Sequence, residues 1–201
     1  MLEPAQKYDA EVKLRLIPDI IPGWKTIITL VSITVLFGFS IWWFNKNPAL
    51  QGLWNNFIID KRVPASFCEQ LHINSPVRQP VNTFSNIIYL VTAIIILSAS
   101  WKSKRSNTNE HLVKSNFFSI LFAFVLLYVF AASTFYHASL IGIAHTLDYS
   151  AVFSFSLFPV MFLLYQWWLM KKKKLSNTKR RKTEIRFLLV FCGANLGLAL
   201  L

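Results

Sequence analysis

The chain has 201 residues, of which 54% are hydrophobic, and its mean hydropathy is +0.44. This composition excludes an ordinary soluble domain, because the apolar residues fall into runs of about the 20 that a helix needs to cross a membrane. The formal net charge is +12, but the basic residues lie in the segments between apolar runs. That placement is typical of a membrane protein and argues against nucleic-acid binding.

A polar lead-in of residues 1–23 comes first, and its four acidic residues do not fit a cleaved signal peptide. Five apolar segments follow, at 24–44, 81–100, 117–140, 146–170 and 186–201. We interpret 24–44 as an extra membrane anchor, 45–80 as an outer loop and 81–201 as a helical bundle. Since helices satisfy their own backbone groups in lipid, the sequence predicts an all-α, polytopic membrane protein with about five spans.

Lys and Arg are distributed unevenly among the connecting segments. The residues up to Lys25, the segment 101–116 and the segment 171–183 together hold sixteen of them, whereas the loop 45–80 holds four. Positive charge collects on the cytoplasmic side of membrane proteins, so we predict a cytoplasmic N-terminus. The lysine-rich stretch 171–182 is interpreted as an anchor near anionic lipid headgroups.

Three polar residues stand out near the end of the third apolar segment and the start of the fourth. Ser133 and His137 are four residues apart, which places them on one face of a helix. Asp148 follows a break predicted at 140–144 and is expected to begin the next helix. Such groups are costly at membrane depth and therefore indicate a functional site. Together they can bind a metal, polarise a carbonyl and move a proton.

Each residue also has a structural interpretation. A serine in a membrane helix often bonds back to a carbonyl of the preceding turn, and Asp148 would serve as an N-cap or first-turn acid. His137 would be an interfacial hydrogen bonder, and His145, expected in the connection, an interface residue. The occurrence of Ser133, His137 and Asp148 together favours the functional interpretation.

The spacing carries a family resemblance. Ser133-x-x-x-His137, with ten residues before Asp148, is accompanied upstream by Cys68-Glu69 and by an Asn-Thr-x-Ser-Asn run at 82–86. Over about residues 66–170 this pattern resembles the alkaline ceramidases, which are multi-span hydrolases of the CREST superfamily. The resemblance implies that 81–201 is the front part of a seven-span bundle. The distribution of positive charge predicts that the site lies near the non-cytoplasmic face.

The resemblance also implies a role for each residue. His137 would be one of three zinc ligands, Ser133 would stabilise the developing oxyanion, and Asp148 would assist proton transfer to and from the attacking water. Zinc would polarise the amide carbonyl. The substrate would be a lipid amide such as ceramide, cleaved to a sphingoid base and a fatty acid.

Two departures from the family pattern are visible. The family's other two zinc ligands form a His-x-x-x-His on its last span, which these 201 residues do not contain. We therefore expect the chain to be a fragment, with the remaining ligands beyond Leu201. Glu69 matches a calcium ligand of the family, but Ser66 and Gln79 stand where acidic residues are expected, which weakens a site for a hard cation. Calcium binding is therefore doubtful.

A rival hypothesis is a non-enzymatic lipid-binding or receptor-like protein of the same superfamily. In that case His137 and Asp148 only hold helices together, and Asp148→Asn leaves function intact. The hydrolase hypothesis predicts loss of turnover with the fold retained. Either way, the expected partners are membrane lipids and, for the enzyme, a lipid amide.

Overall fold

The computed structural model describes residues 23–59, 69–103, 116–171 and 177–199. Over these ranges the chain forms six α-helices: α1 Trp24–Lys46, α2 Pro80–Ser85, α3 Ile87–Ser103, α4 Asn116–Ser139, α5 Gly142–Lys171 and α6 Asn177–Ala199. A short 3₁₀ helix, Pro48–Leu50, follows α1, and no strand occurs in the described ranges. The predicted all-α fold is confirmed. Residues 1–22 of the lead-in, and Cys68 of the Cys-Glu motif, lie outside the described residues.

Among the described residues, four helical stretches are long and apolar enough to cross a membrane: Trp24–Lys46, Pro80–Trp101, Phe117–Ser139 and Gly142–Leu169. Their outward faces are apolar, as at Val35 and Leu36, which are each 63% exposed. Apolar surface of this kind is stable in contact with lipid, so the protein is an integral membrane protein. The described part of the fifth predicted segment, 186–199, is helical and belongs to α6, whose first half is basic. Helix α6 is not among these four stretches.

The second predicted span is divided at Asn86 into α2 and α3. Pro80 occupies the first turn of α2, where its missing N–H is not needed. Helix α1 approaches α2 closely at Gly38, where an added Cβ would lie 3.0 Å from the ring of Phe84. The first span is thus packed against the start of the second.

The main core lies among α4, α5 and α6. It consists of apolar side chains, most of them aromatic: Phe118, Val125, Phe158, Met161, Tyr165 and Phe191. The rings of Phe118 and Tyr165 are 4.5 Å apart between centroids, and the Ser154 hydroxyl donates to Oδ1 of Asn195 across 2.8 Å. This packing holds α4 beside α5 over most of their length and so fixes the relative position of the ends of the two helices.

The connection between α4 and α5 is shorter than predicted. The expected break at 140–144 is wrong, because only Leu140 and Ile141 separate the helices. Leu140 takes a left-handed backbone conformation (φ 54°), and its N–H donates to the Tyr136 carbonyl over 2.6 Å, as in a helix C-cap. Ile141 pairs with Ile59 in an isolated antiparallel bridge. The chain therefore reverses within two residues and α5 begins at Gly142.

Candidate active site

Ser133 and Asp148 meet across the interface between α4 and α5. Ser133 is buried, and its side chain is hydrogen-bonded to the Asp148 carboxylate. By contrast, the hydroxyl of nearby Ser139 bonds back to the Phe135 carbonyl over 2.7 Å. The interpretation of Ser133 as a serine that bonds back to its own helix is therefore wrong.

Asp148 is the seventh residue of α5, which begins at Gly142. The expectation that it begins the helix, as an N-cap or first-turn acid, is therefore wrong, because α5 starts four residues earlier than predicted. Its Oδ1 atom is buried and has no hydrogen-bond partner among the described residues. A carboxylate oxygen in that position is available to a ligand or to water.

His137 is held by Gln79 from the loop before α2. Its Nδ1 lies 2.6 Å from Oε1 of Gln79. A carbonyl oxygen can only accept a hydrogen bond, so Nδ1 carries the proton and Nε2 of the neutral ring carries the lone pair. The half-buried ring also interacts electrostatically with the carboxylates of Asp148 and Glu69. The three residues singled out in the sequence thus lie at one end of the bundle.

Glu69 lies at the same end and caps α2. Its two carboxylate oxygens accept from the backbone N–H groups of Val81, at 2.6 Å, and Asn82, at 2.9 Å. A carboxylate is stabilised in this position by the unpaired N–H groups and the dipole of a helix N-terminus. Glu69 therefore positions the helix that starts next to Gln79, and its expected role toward calcium stays a prediction.

Arg78 fastens this loop to the end of α4. Its side chain is only 1% exposed, and its guanidinium donates to the carbonyls of Ser139, at 2.7 Å, and Ile73, at 3.1 Å. Its backbone N–H donates to the Ala138 carbonyl over 3.0 Å. The bonds to Ala138 and Ser139 satisfy carbonyls that the end of α4 leaves unpaired. Burial lowers the pKa of the guanidinium from its ordinary value, because desolvation disfavours the charged form.

His145 belongs to the site, and the prediction that it lies in the connection between α4 and α5 is wrong. It lies in the first turns of α5, not in the connection, and is buried. Its ring centroid is 5.1 Å from that of Tyr136 and 4.3 Å from that of Tyr149, and it interacts electrostatically with Asp148. The spacing of three between His145 and Asp148 is a helical signal, but it is informative only once α5 is known to start at Gly142.

Several other buried polar atoms accompany the site. On one face of α2 and its flanking turns lie Gln79 Nε2, Thr83 Oγ1 and Asn86 Nδ2, and on α4 lies Thr134 Oγ1; none has a hydrogen-bond partner in the described part of the chain. An unsatisfied polar group in an apolar surrounding costs roughly 2–7 kcal/mol. Such atoms are stable when water or the polar part of a ligand reaches them, which is consistent with a binding site at this end of the bundle.

The residues fit one position of the expected zinc site. A histidine that binds a metal usually donates its second ring N–H to a carbonyl or carboxylate, and His137 makes such a bond to Gln79. Over the described ranges, no three His, Cys, Asp or Glu side chains are grouped to hold an ion. Zinc binding therefore stays a prediction that rests on the resemblance and on this one residue.

Comparison of the chain with models of known protein families, with curated proteins and with solved structures gave no significant match. The fold defines the class, an integral membrane protein with an α-helical bundle.

Proposed function

We propose that this protein is a membrane-embedded hydrolase that cleaves the amide bond of a lipid such as ceramide, giving a sphingoid base and a fatty acid. The observation that carries the proposal is the meeting of Ser133, His137 and Asp148 at one end of the bundle. These groups come from two helices, and a hydroxyl, an imidazole and a carboxylate are the functional groups that acyl transfer uses.

In this proposal Asp148 is the acid–base group. Its carboxylate accepts a proton from the water whose oxygen adds to the amide carbonyl carbon, and returns that proton to the amide nitrogen as the carbon–nitrogen bond breaks. The products are an amine and a carboxylic acid. The Oδ1 atom of Asp148, which has no hydrogen-bond partner among the described residues, provides the accepting lone pair.

Ser133 supports this chemistry from α4. Its hydroxyl orients Asp148 and, by rotation about χ1, donates to the oxygen on which negative charge develops. His137 would be a zinc ligand through Nε2, the nitrogen that carries its lone pair. A zinc ion bound there would supply Lewis-acid polarisation of the carbonyl.

The same contacts support the rival function. The Ser133–Asp148 and Gln79–His137 interactions each join two segments of the bundle. A receptor-like or lipid-binding protein would use such polar contacts only to hold helices together. The two functions differ in whether the polar groups are needed for turnover.

The test is zinc content and ceramide hydrolysis by the protein made from its full natural reading frame and purified in detergent. We expect about one zinc per chain, release of fatty acid, and loss of both in His137→Ala. The matched control is His72→Ala, because His72 is exposed in the loop before α2. Absence of zinc and hydrolysis from the parent protein, or their retention in His137→Ala, would contradict the proposal.

A further inference from the structure

Gln79 makes two contacts with one residue of α4. Its backbone N–H donates to the His137 carbonyl over 3.1 Å, and its side-chain oxygen lies 2.6 Å from Nδ1 of the same histidine. The side chain is 0% exposed. Since both the backbone and the ring of His137 are held by one buried residue, the ring has a fixed orientation relative to its helix.

The residues on either side of Gln79 fix its own position. Arg78 is bonded to the carbonyls of Ala138 and Ser139 at the end of α4. Glu69 accepts hydrogen bonds from the N–H groups of Val81 and Asn82, which follow Gln79 in the chain. The loop therefore cannot shift along α4 without breaking several hydrogen bonds, and Gln79 is a rigid acceptor for the histidine.

The acceptor determines which ring nitrogen carries the proton. In a neutral imidazole one nitrogen donates and the other accepts. The hydrogen bond to Oε1 stabilises the Nδ1–H form, in which the lone pair is at Nε2. Without that acceptor the two tautomers differ little in energy, so a fraction of the molecules would present the wrong nitrogen.

We propose that Gln79 is a positioning residue, which fixes the tautomer and the orientation of His137. The purpose of fixing the ring, which is to present Nε2 to zinc, rests on the proposed function. The tautomer itself can be measured whether or not that function is correct. The role requires only an oxygen acceptor at position 79 and differs from that of a cation ligand. This role explains a glutamine at position 79, where the family pattern has an acidic residue.

The experiment compares Gln79→Met, Gln79→Asn and Gln79→Glu with the parent protein. Methionine has a similar volume but no oxygen acceptor, asparagine withdraws the oxygen by one methylene, and glutamate restores an acceptor at the same distance. The control is Thr83→Val, which changes a buried polar residue on the same helix face that has no hydrogen-bond partner among the described residues.

The first readout is the ¹⁵N NMR spectrum of histidine-labelled, metal-free protein at about pH 8, where imidazole is neutral. The chain has four histidines, and the His137 signals are those lost in His137→Ala. We expect the Nδ1–H pattern in the parent, in Gln79→Glu and in Thr83→Val. In Gln79→Met and Gln79→Asn we expect a mixture of tautomers.

The second readout is the affinity for zinc, measured by competition with a chelator. We expect a loss of about 10–100-fold in Gln79→Met and Gln79→Asn, with affinity kept in Gln79→Glu. An unchanged tautomer in folded Gln79→Met or Gln79→Asn, or a lost one in Gln79→Glu, would overturn the proposal. If the parent binds no zinc, the proposed function fails, while the NMR comparison still decides the role of Gln79.

Discussion

The side chains of Ser133 and Asp148, fifteen positions apart in the sequence, are hydrogen-bonded between antiparallel helices that a two-residue connection joins. Ser133→Ala should lower turnover by about 10²–10³-fold, because the donor to the developing oxyanion is lost. Initial rates of ceramide hydrolysis measure the effect.

The control for that variant is Ser139→Ala. The Ser139 hydroxyl is buried nearby but bonds back to its own helix, so its removal should leave turnover within a factor of two or so of the parent. Equal losses in the two variants would mean that the effect is structural.

Asp148→Asn keeps the shape of the side chain and removes its basicity. We expect a loss of turnover of roughly 10²–10⁴-fold with an unchanged helical circular dichroism spectrum. Glu184→Gln is the matched control, since Glu184 lies on α6 and bonds to Tyr165 and Arg180, far along the helices from Asp148. Full activity in Asp148→Asn would favour the receptor-like alternative.

Arg78→Met should destabilise the fold. The variant loses two charged hydrogen bonds to the carbonyls of Ser139 and Ile73, each contributing about 1.5–3 kcal/mol, and the buried thioether recovers part of this. A net loss of about 2–4 kcal/mol in the free energy of unfolding is expected, measured by denaturation in detergent. Arg181→Met, at an exposed position of α6, should change it by no more than about 0.5 kcal/mol.

At position 140 the usual order of stability, in which an alanine variant is more stable than a glycine variant, should be reversed. The backbone of Leu140 is left-handed, which costs an L-residue roughly 1–2 kcal/mol and glycine nothing. Its side chain is 1% exposed, so both substitutions lose burial, but Leu140→Ala keeps the strain. We expect Leu140→Ala to be about 1 kcal/mol less stable than Leu140→Gly.

The comparison for Leu140 is Leu126, which is buried within α4. There the ordinary helical preference holds, and glycine should be less stable than alanine by about 1 kcal/mol. Thermal unfolding of the four variants in one detergent measures these differences in stability. The same order of alanine and glycine at both positions would refute the explanation by backbone strain at Leu140.

The orientation in the membrane is testable with single cysteines after Cys68 and Cys192 are changed to serine. From the distribution of positive charge, Asn55→Cys should react with an impermeant maleimide in intact cells. Arg181→Cys should react only after permeabilisation. The reverse pattern would place the site on the cytoplasmic side.

The sequence predicted the fold where its signals are local. Trp24 marks the start of α1 as expected, and α2 begins at Pro80, one residue before the predicted apolar segment, because an apolar run is a signal of its own neighbourhood. The start of α5 was missed by several residues, since Ile141, the residue before the helix, has no polar side chain that could cap it. This displacement accounts for the errors at His145 and Asp148.

The site was also predicted only where its residues are close together in the sequence. Ser133 and His137 share a helix face by their spacing alone. Gln79 is 58 residues from His137, and no periodicity relates them. Their contact depends on how the loop before α2 folds over the end of α4, which is a property of tertiary packing.

The two-residue connection makes the length of the chain between His137 and Asp148 part of the site. A helix turns about 100° per residue, so one residue inserted or deleted between Gly142 and Asp148 would rotate the carboxylate away from Ser133. The side chains of Ser133, His137 and Asp148 would all still be present. Substitutions in this stretch are therefore tolerated according to their size and polarity, but changes in its length are not. Chains that keep the three residues with a different gap between them should be unable to form the same site.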